Sequence, residues 1–137
     1  MRIAVVDGQG GNIGRQLVKS IRDSFPAVTI RAIGTNSTAT ASMLKGGADE
    51  AATGENAVIV GSRDADIIVG PIGIVIADAL MGEVTEQMAA AIARSSAVKV
   101  LIPLNRCEVL VAGIGDKSTA ELLNDALDKI RDIMKQS

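Results

Sequence analysis

The chain has no histidine, tryptophan or tyrosine, a single aromatic residue, Phe25, and a single cysteine, Cys107. These absences exclude much chemistry. A Ser-His-Asp triad, a Cys-His pair and a histidine-bearing zinc site cannot be assembled within one chain. Any metal would have to be a hard cation on oxygen ligands, and no metal site is expected. The lone cysteine has no intrachain disulfide partner, which fits a cytoplasmic compartment, as does an N-terminus that enters an apparent strand at once without a leader-like segment. No apolar run approaches the ~20 residues of a bilayer span. The longest, Ile72 to Met81, is interrupted by Gly73 and Asp78, so no membrane partner is expected. A net charge of -2 and the shortage of stacking rings argue against nucleic acid as well.

With 137 residues, 47% apolar and 22% charged, the composition is that of one globular domain over residues 1–137. Arg2 to Val6 reads as a buried strand closed by Asp7-Gly8, and a helix follows from about Gly11 with Ile13, Leu17, Val18 and Ile21 on one face. Pro26 ends it. Val28 to Ile33, Asp49 to Ala52, Asp66 to Val69 and Val98 to Leu104 are the next strands. Helices are expected through Met43 and Leu44, from about Thr53 to Ser62, from Ile74 to Met81, from Thr85 to Arg94 and from Ser118 to Met134. Asn105-Arg106-Cys107 reads as a hairpin bend, with Val109 to Ala112 returning antiparallel. Strands alternating with helices predict an α/β, Rossmann-like three-layer sandwich: a mostly parallel sheet with an antiparallel C-terminal edge strand.

The segment Asp7-Gly8-Gln9-Gly10-Gly11-Asn12-Ile13-Gly14 matches G-x-x-G-x-x-G through Gly8, Gly11 and Gly14. In a chain with 14 glycines the pattern alone is weak. Its position, directly after the first strand and at the mouth of the first helix, makes it informative. Gly8 can take a left-handed turn, Gly10 and Gly11 can let a phosphate approach the backbone, and Gly14 can let helix and strand pack closely. The unpaired N–H groups of a helix N-terminus suit an anion, each charged hydrogen bond contributing roughly 1.5–3 kcal/mol. Three would supply most of the ~8 kcal/mol of micromolar binding before ordering costs. The competing reading is a tight strand-to-helix turn without a ligand. A P-loop is excluded because its Gly-Lys-Ser/Thr ending is replaced by Gly14-Arg15-Gln16.

A parallel sheet would gather the loops after its strands at one edge. There Gly8, Gln9, Gly10, Gly11, Asn12, Ile13 and Gly14 would be joined by Thr35 and Asn36, by Gly70, Pro71, Ile72 and Gly73, and by Asn105. Each has a plainer alternative: Asn36 as a helix cap, Gly70-Pro71 as a turn. Four residues are candidates for catalysis. Asp7 would orient loop amides or hold Mg²⁺, the first being favoured because no second acidic residue is adjacent. Glu55 would complement a helix dipole or act chemically. Arg106 beside Cys107 would activate the thiol or bind a phosphate. Asp78, in an apolar helix, would need a partner, across a subunit interface if nowhere else.

The glycine loop resembles that of the extended short-chain dehydrogenases over about the first 35 residues. This chain departs from them at the end of the second strand, where Ile33-Gly34-Thr35-Asn36-Ser37 carries no acid for the ribose hydroxyls, and in lacking the tyrosine of Tyr-x-x-x-Lys. A resemblance over nearly the whole chain is carried by Asp7-Gly8-Gln9-Gly10-Gly11, Gly34-Thr35-Asn36, Ala52-Thr53-Gly54-Glu55-Asn56, Gly70-Pro71-Ile72-Gly73-Ile74 and Pro103-Leu104-Asn105-Arg106-Cys107. Together these resemble a bacterial family catalogued as domain of unknown function thirty-eight forty-two, which implies a fold and no activity. The expectation is a nucleotide-binding module for NAD(P) or another adenine nucleotide, a phosphate-bearing small molecule in any case, acting as a homodimer. A small enzyme on a phosphorylated substrate, using Asp7, Glu55, Arg106 or Cys107, ranks second because no histidine serves as base. A ligand-free structural or regulatory partner ranks third.

Overall fold

The computed structural model describes residues 1–104 and 109–136. Its central strand is β1, Arg2–Asp7, and the chain winds outward from there: α1 (Asn12–Ser24), β2 (Thr29–Gly34), α2 (Ser37–Lys45) and β3 (Glu50–Thr53). It then crosses back through α3 (Glu55–Gly61) to β4 (Ile67–Pro71), which lies on the other side of β1. A short 3-10 helix, Ile72–Val75, and an irregular segment lead to α4 (Glu86–Arg94), β5 (Val98–Ile102) and finally α5 (Thr119–Lys135). The five strands run in the order β3-β2-β1-β4-β5, every pair parallel.

Alternation along β1 builds two cores. Ile3 and Val5 face Leu17, Val18 and Ile21 of α1, Met43 of α2 and Ala126 and Ile130 of α5. Ala4 and Val6 face Val58 of α3 and Met88 and Ile92 of α4. A strand covered on both faces must be apolar at every position, as Ile3 to Val6 are. Each fully buried isoleucine or leucine in these layers contributes about 1.5–3 kcal/mol. This is the α/β Rossmann-like architecture that the sequence implies. Among the described residues no helix is long and apolar enough to cross a membrane.

Two expectations fail. Val109 to Ala112 is not a strand: β5 pairs with β4 alone, Leu110 is 81% exposed, and Gly113 and Gly115 bend the chain at positive φ. Those bends and the exposed leucine keep the run from lying along β5. Its expected bend, Asn105-Arg106-Cys107, lies outside the described residues.

Ile74 to Met81 is not a helix either. After one 3-10 turn, Asp78, Leu80 and Met81 adopt positive φ of 67°, 55° and 56°. Apolarity there reports something other than helical burial. Ile74 is fully buried beneath the segment, whereas Met81 is 92% exposed at its tip. Asp78 is exposed rather than buried, its N–H bonded to the Val84 carbonyl at 2.7 Å, so it needs no partner across an interface.

Candidate functional site

Because every strand runs the same way, the loops after β1, β2, β3 and β4 emerge at one edge. The order reverses between β1 and β4, the crevice where open sheets of this kind bind ligands. Here the chain between β4 and α4, residues 72–85, folds across that crevice as a strap, and it reaches the loops after β1 and β2.

The loop after β1 is organised by Asp7, the last residue of the strand. Its Oδ1 accepts from the Gly8 N–H at 2.8 Å and its Oδ2 from the Gly14 N–H at 2.7 Å, so one side chain ties together both ends of the turn. Burial pushes its pKa above the usual 3.8, the two amide bonds pull it back in part, and the charge of Glu83 adds to the rise. Each oxygen thus accepts a loop amide, and Asp7 orients the turn. Among the described residues there is no group of three or more His, Cys, Asp or Glu that could hold a metal ion.

The glycines divide by what surrounds them. A methyl group on Gly11 would sit 2.7 Å from the Ala39 backbone, and Gly11 also has φ 72°, so it serves both the turn and the approach of α1 to α2. On Gly14 it would strike Met43 Sδ at 2.6 Å and Asp7 Cβ at 2.8 Å, the close helix–strand packing expected. Gly8 is not the left-handed residue; Gln9, with φ 50°, takes that part. Gly8 is instead buried beneath Thr35, Leu80 and Glu83. Of the four loop glycines, Gly10 alone faces open space. Among the described residues the N–H groups of Gly10, Asn12 and Ile13 have no partner, since the cap, Gly11, has no side chain.

Glu83 was not anticipated by the sequence reading. Its Oε1 accepts from the Gln9 N–H at 2.9 Å, the Thr35 hydroxyl at 2.7 Å and the Asn36 Nδ2 at 2.7 Å. Partial burial raises its pKa, but the bonds from Thr35, Gln9 and Asn36 outweigh that and hold it below the usual 4.5. Asn36 also caps α2, its Oδ1 accepting from the Ala39 N–H at 2.9 Å, while its Nδ2 donates to the Gln9 carbonyl at 2.9 Å. No short-range signal marks Glu83, because the contacts span 74, 48 and 47 residues.

The other expected residues separate. Gly70 is required where it stands, a methyl there falling 2.2 Å from the Val6 carbonyl oxygen. Pro71 ends β4, and Ile72 and Gly73 open the strap, Gly73 packing against Ala79 and Leu80. Gly70 to Gly73 thus form the root of the strap. Glu55 starts α3 and accepts from the Thr85 hydroxyl at 2.9 Å, tying α3 to α4. Asn105, Arg106 and Cys107 lie outside the described residues.

Beside Gly10 a cleft of about 560 Å³ runs between α1 and α2, lined by Arg15, Ser37, Thr38, Ser42 and Lys45 among others. Neither cation forms an ion pair among the described residues. A groove of about 650 Å³ between α3 and α4 is larger, but none of the expected site residues lines it.

A dodecameric FMN-dependent Ubix-like decarboxylase from Escherichia coli O157:H7 aligns with a TM-score of 0.47 at 15% identity, covering 98% of this chain and 95% of that one. A nucleoside-diphosphate-sugar epimerase from Pseudomonas aeruginosa aligns with a TM-score of 0.44 at 15% identity; the match covers 100% of this chain and 49% of that one, so this chain spans about half its length. No curated protein matches. The sequence does match one family model, described as Domain of unknown function (DUF3842), over residues 2–135, and the chain belongs to that family.

Proposed function

We propose that the chain is a nucleotide-binding module, for NAD(P) or another adenine nucleotide, that takes the ligand's phosphate at the Gly10 end of the loop after β1. One observation carries the reading: the N–H groups of Gly10, Asn12 and Ile13 are unpartnered at the N-terminus of α1, where Gly10 opens on a cleft bearing Arg15 and Lys45. Amides with the positive end of a helix dipole bind phosphate in many folds, and an arginine adds a bidentate partner.

The reading differs from the sequence expectation in where the ligand lies. Leu80 and Glu83 cover Gly8, so the phosphate meets the outer half of the loop rather than the crevice between β1 and β4. The reading includes a homodimer and a cytoplasmic location. Residues 74–81 form a strap and not an apolar helix, so they offer no helix face for the dimer. Sedimentation as a monomer removes the dimer.

A thermal-shift screen with NAD⁺, NADP⁺, ATP, GTP, FAD and sugar phosphates, repeated on Gly10→Asp, tests the site. Gly10 has ordinary φ and free space around it, so the variant folds while placing a carboxylate at the loop. Stabilisation of the native chain by one nucleotide, lost in the variant, is the expected result. Uniform silence supports the ligand-free reading.

A further inference from the structure

The three donors that meet on Glu83 are a backbone N–H, a hydroxyl and a side-chain amide, all neutral and all aimed at a single oxygen. Carboxylate and phosphate oxygens are interchangeable acceptors for such a set. We propose that the Gln9 N–H, the Thr35 hydroxyl and the Asn36 Nδ2 form an oxyanion receptor for the ligand's phosphate, which Glu83 fills as an internal stand-in until the ligand displaces it. The inference rests on the nucleotide-binding reading: it adds these three donors to the Gly10, Asn12 and Ile13 amides as partners of the same phosphate, and names Glu83 as the group released first.

The rest of the strap is consistent with exchange. Glu83 is held through Oε1 alone, since Oε2 accepts no hydrogen bond among the described residues. The segment behind it carries Asp78, Leu80 and Met81 in the left-handed region, a conformation disfavoured for residues with a Cβ, so release of the carboxylate lets strained backbone relax. Met81 projects into solvent at the tip, while Leu80 beside it packs over Gly8 and would move with the strap. The donor set also adjoins an open cleft along the chain. Gln9 and Asn36 immediately precede Gly10 and Ser37, which line the cleft bearing Arg15 and Lys45. Two anions cannot share three donors, so binding and opening of the strap are one event.

The experiment measures binding of inorganic phosphate and of NADP⁺ to the native chain, Glu83→Gln and Gly10→Asp, with amide hydrogen exchange followed on the native chain. Replacing the internal anion by a neutral isostere tightens binding about tenfold, the factor by which a closed state favoured ten to one lowers apparent affinity. Saturating phosphate or NADP⁺ speeds exchange across residues 76–83 of the native chain. Native binding that is unchanged or weaker in Glu83→Gln overturns the stand-in and leaves the nucleotide reading intact. Should that variant fail to fold, the native exchange decides: a strap equally protected with and without bound ligand overturns it. No binding of either probe to any folded form overturns this inference, and silence across the full nucleotide screen removes the nucleotide reading as well.

Discussion

The two ends of the glycine loop are built from the same residue type and treated oppositely. At the Gly8 end, Thr35, Leu80 and Glu83 close over the backbone, and Asp7 and Glu83 take up the N–H groups of Gly8 and Gln9. At the Gly10 end nothing lies within 4 Å of where a side chain would begin, and three N–H groups have no partner among the described residues. A glycine motif therefore does not mark a ligand at each of its positions. Three of the four glycines, Gly8, Gly11 and Gly14, are explained by protein atoms, and the anion-binding case rests on the remaining stretch.

Substitutions should follow that division. The largest effect is expected for Gly11→Ala, which adds a left-handed penalty of about 1–2 kcal/mol to overpacking against Ala39 of about 1–3 kcal/mol. Urea unfolding should show the sum. Asp7→Asn relieves a buried charge but leaves one acceptor for two amides, so a loss of about 1–3 kcal/mol is expected by the same measurement.

Glu83→Gln should cost less, and in a pH-dependent way. The folded pKa of Glu83 lies below 4.5, so its contribution is complete above that value and is lost as pH falls through the folded pKa. The stability gap between native and Glu83→Gln should thus hold steady near neutrality and narrow below pH 4.5. A gap that widens with acid would contradict the bonding described. The smallest effect belongs to Gly10→Ala, within about 0.5 kcal/mol of the native chain. A large loss there would erase the distinction between the two ends.

What could be read from the residues follows the range of the interactions. Ile3 to Val6, followed by Asp7-Gly8 and an amphipathic run, specify strand, turn and helix through neighbours only, and the parallel α/β sheet follows from repeating that unit. Asn36, Thr85 and Ser118 announce the starts of α2, α4 and α5 by local capping. The strap was illegible for the opposite reason. Ile74 to Met81 has the composition of a buried helix, yet Ile74 is buried by covering the crevice, and the backbone is set by contacts with distant loops. Glu83 is a carboxylate among many until the fold brings it to Gln9, Thr35 and Asn36. The missing acid at the end of β2 was visible in the sequence; that another carboxylate comes to Thr35 and Asn36 was not.

Resonance assignment of the native chain, followed by titration with the nucleotide that stabilises it, tests the central claim most directly. Shifts concentrated at the N–H groups of Gly10, Asn12 and Ile13, with α5 unmoved, are the predicted result. Saturable binding that leaves those three amides unperturbed would place the ligand elsewhere and contradict the account.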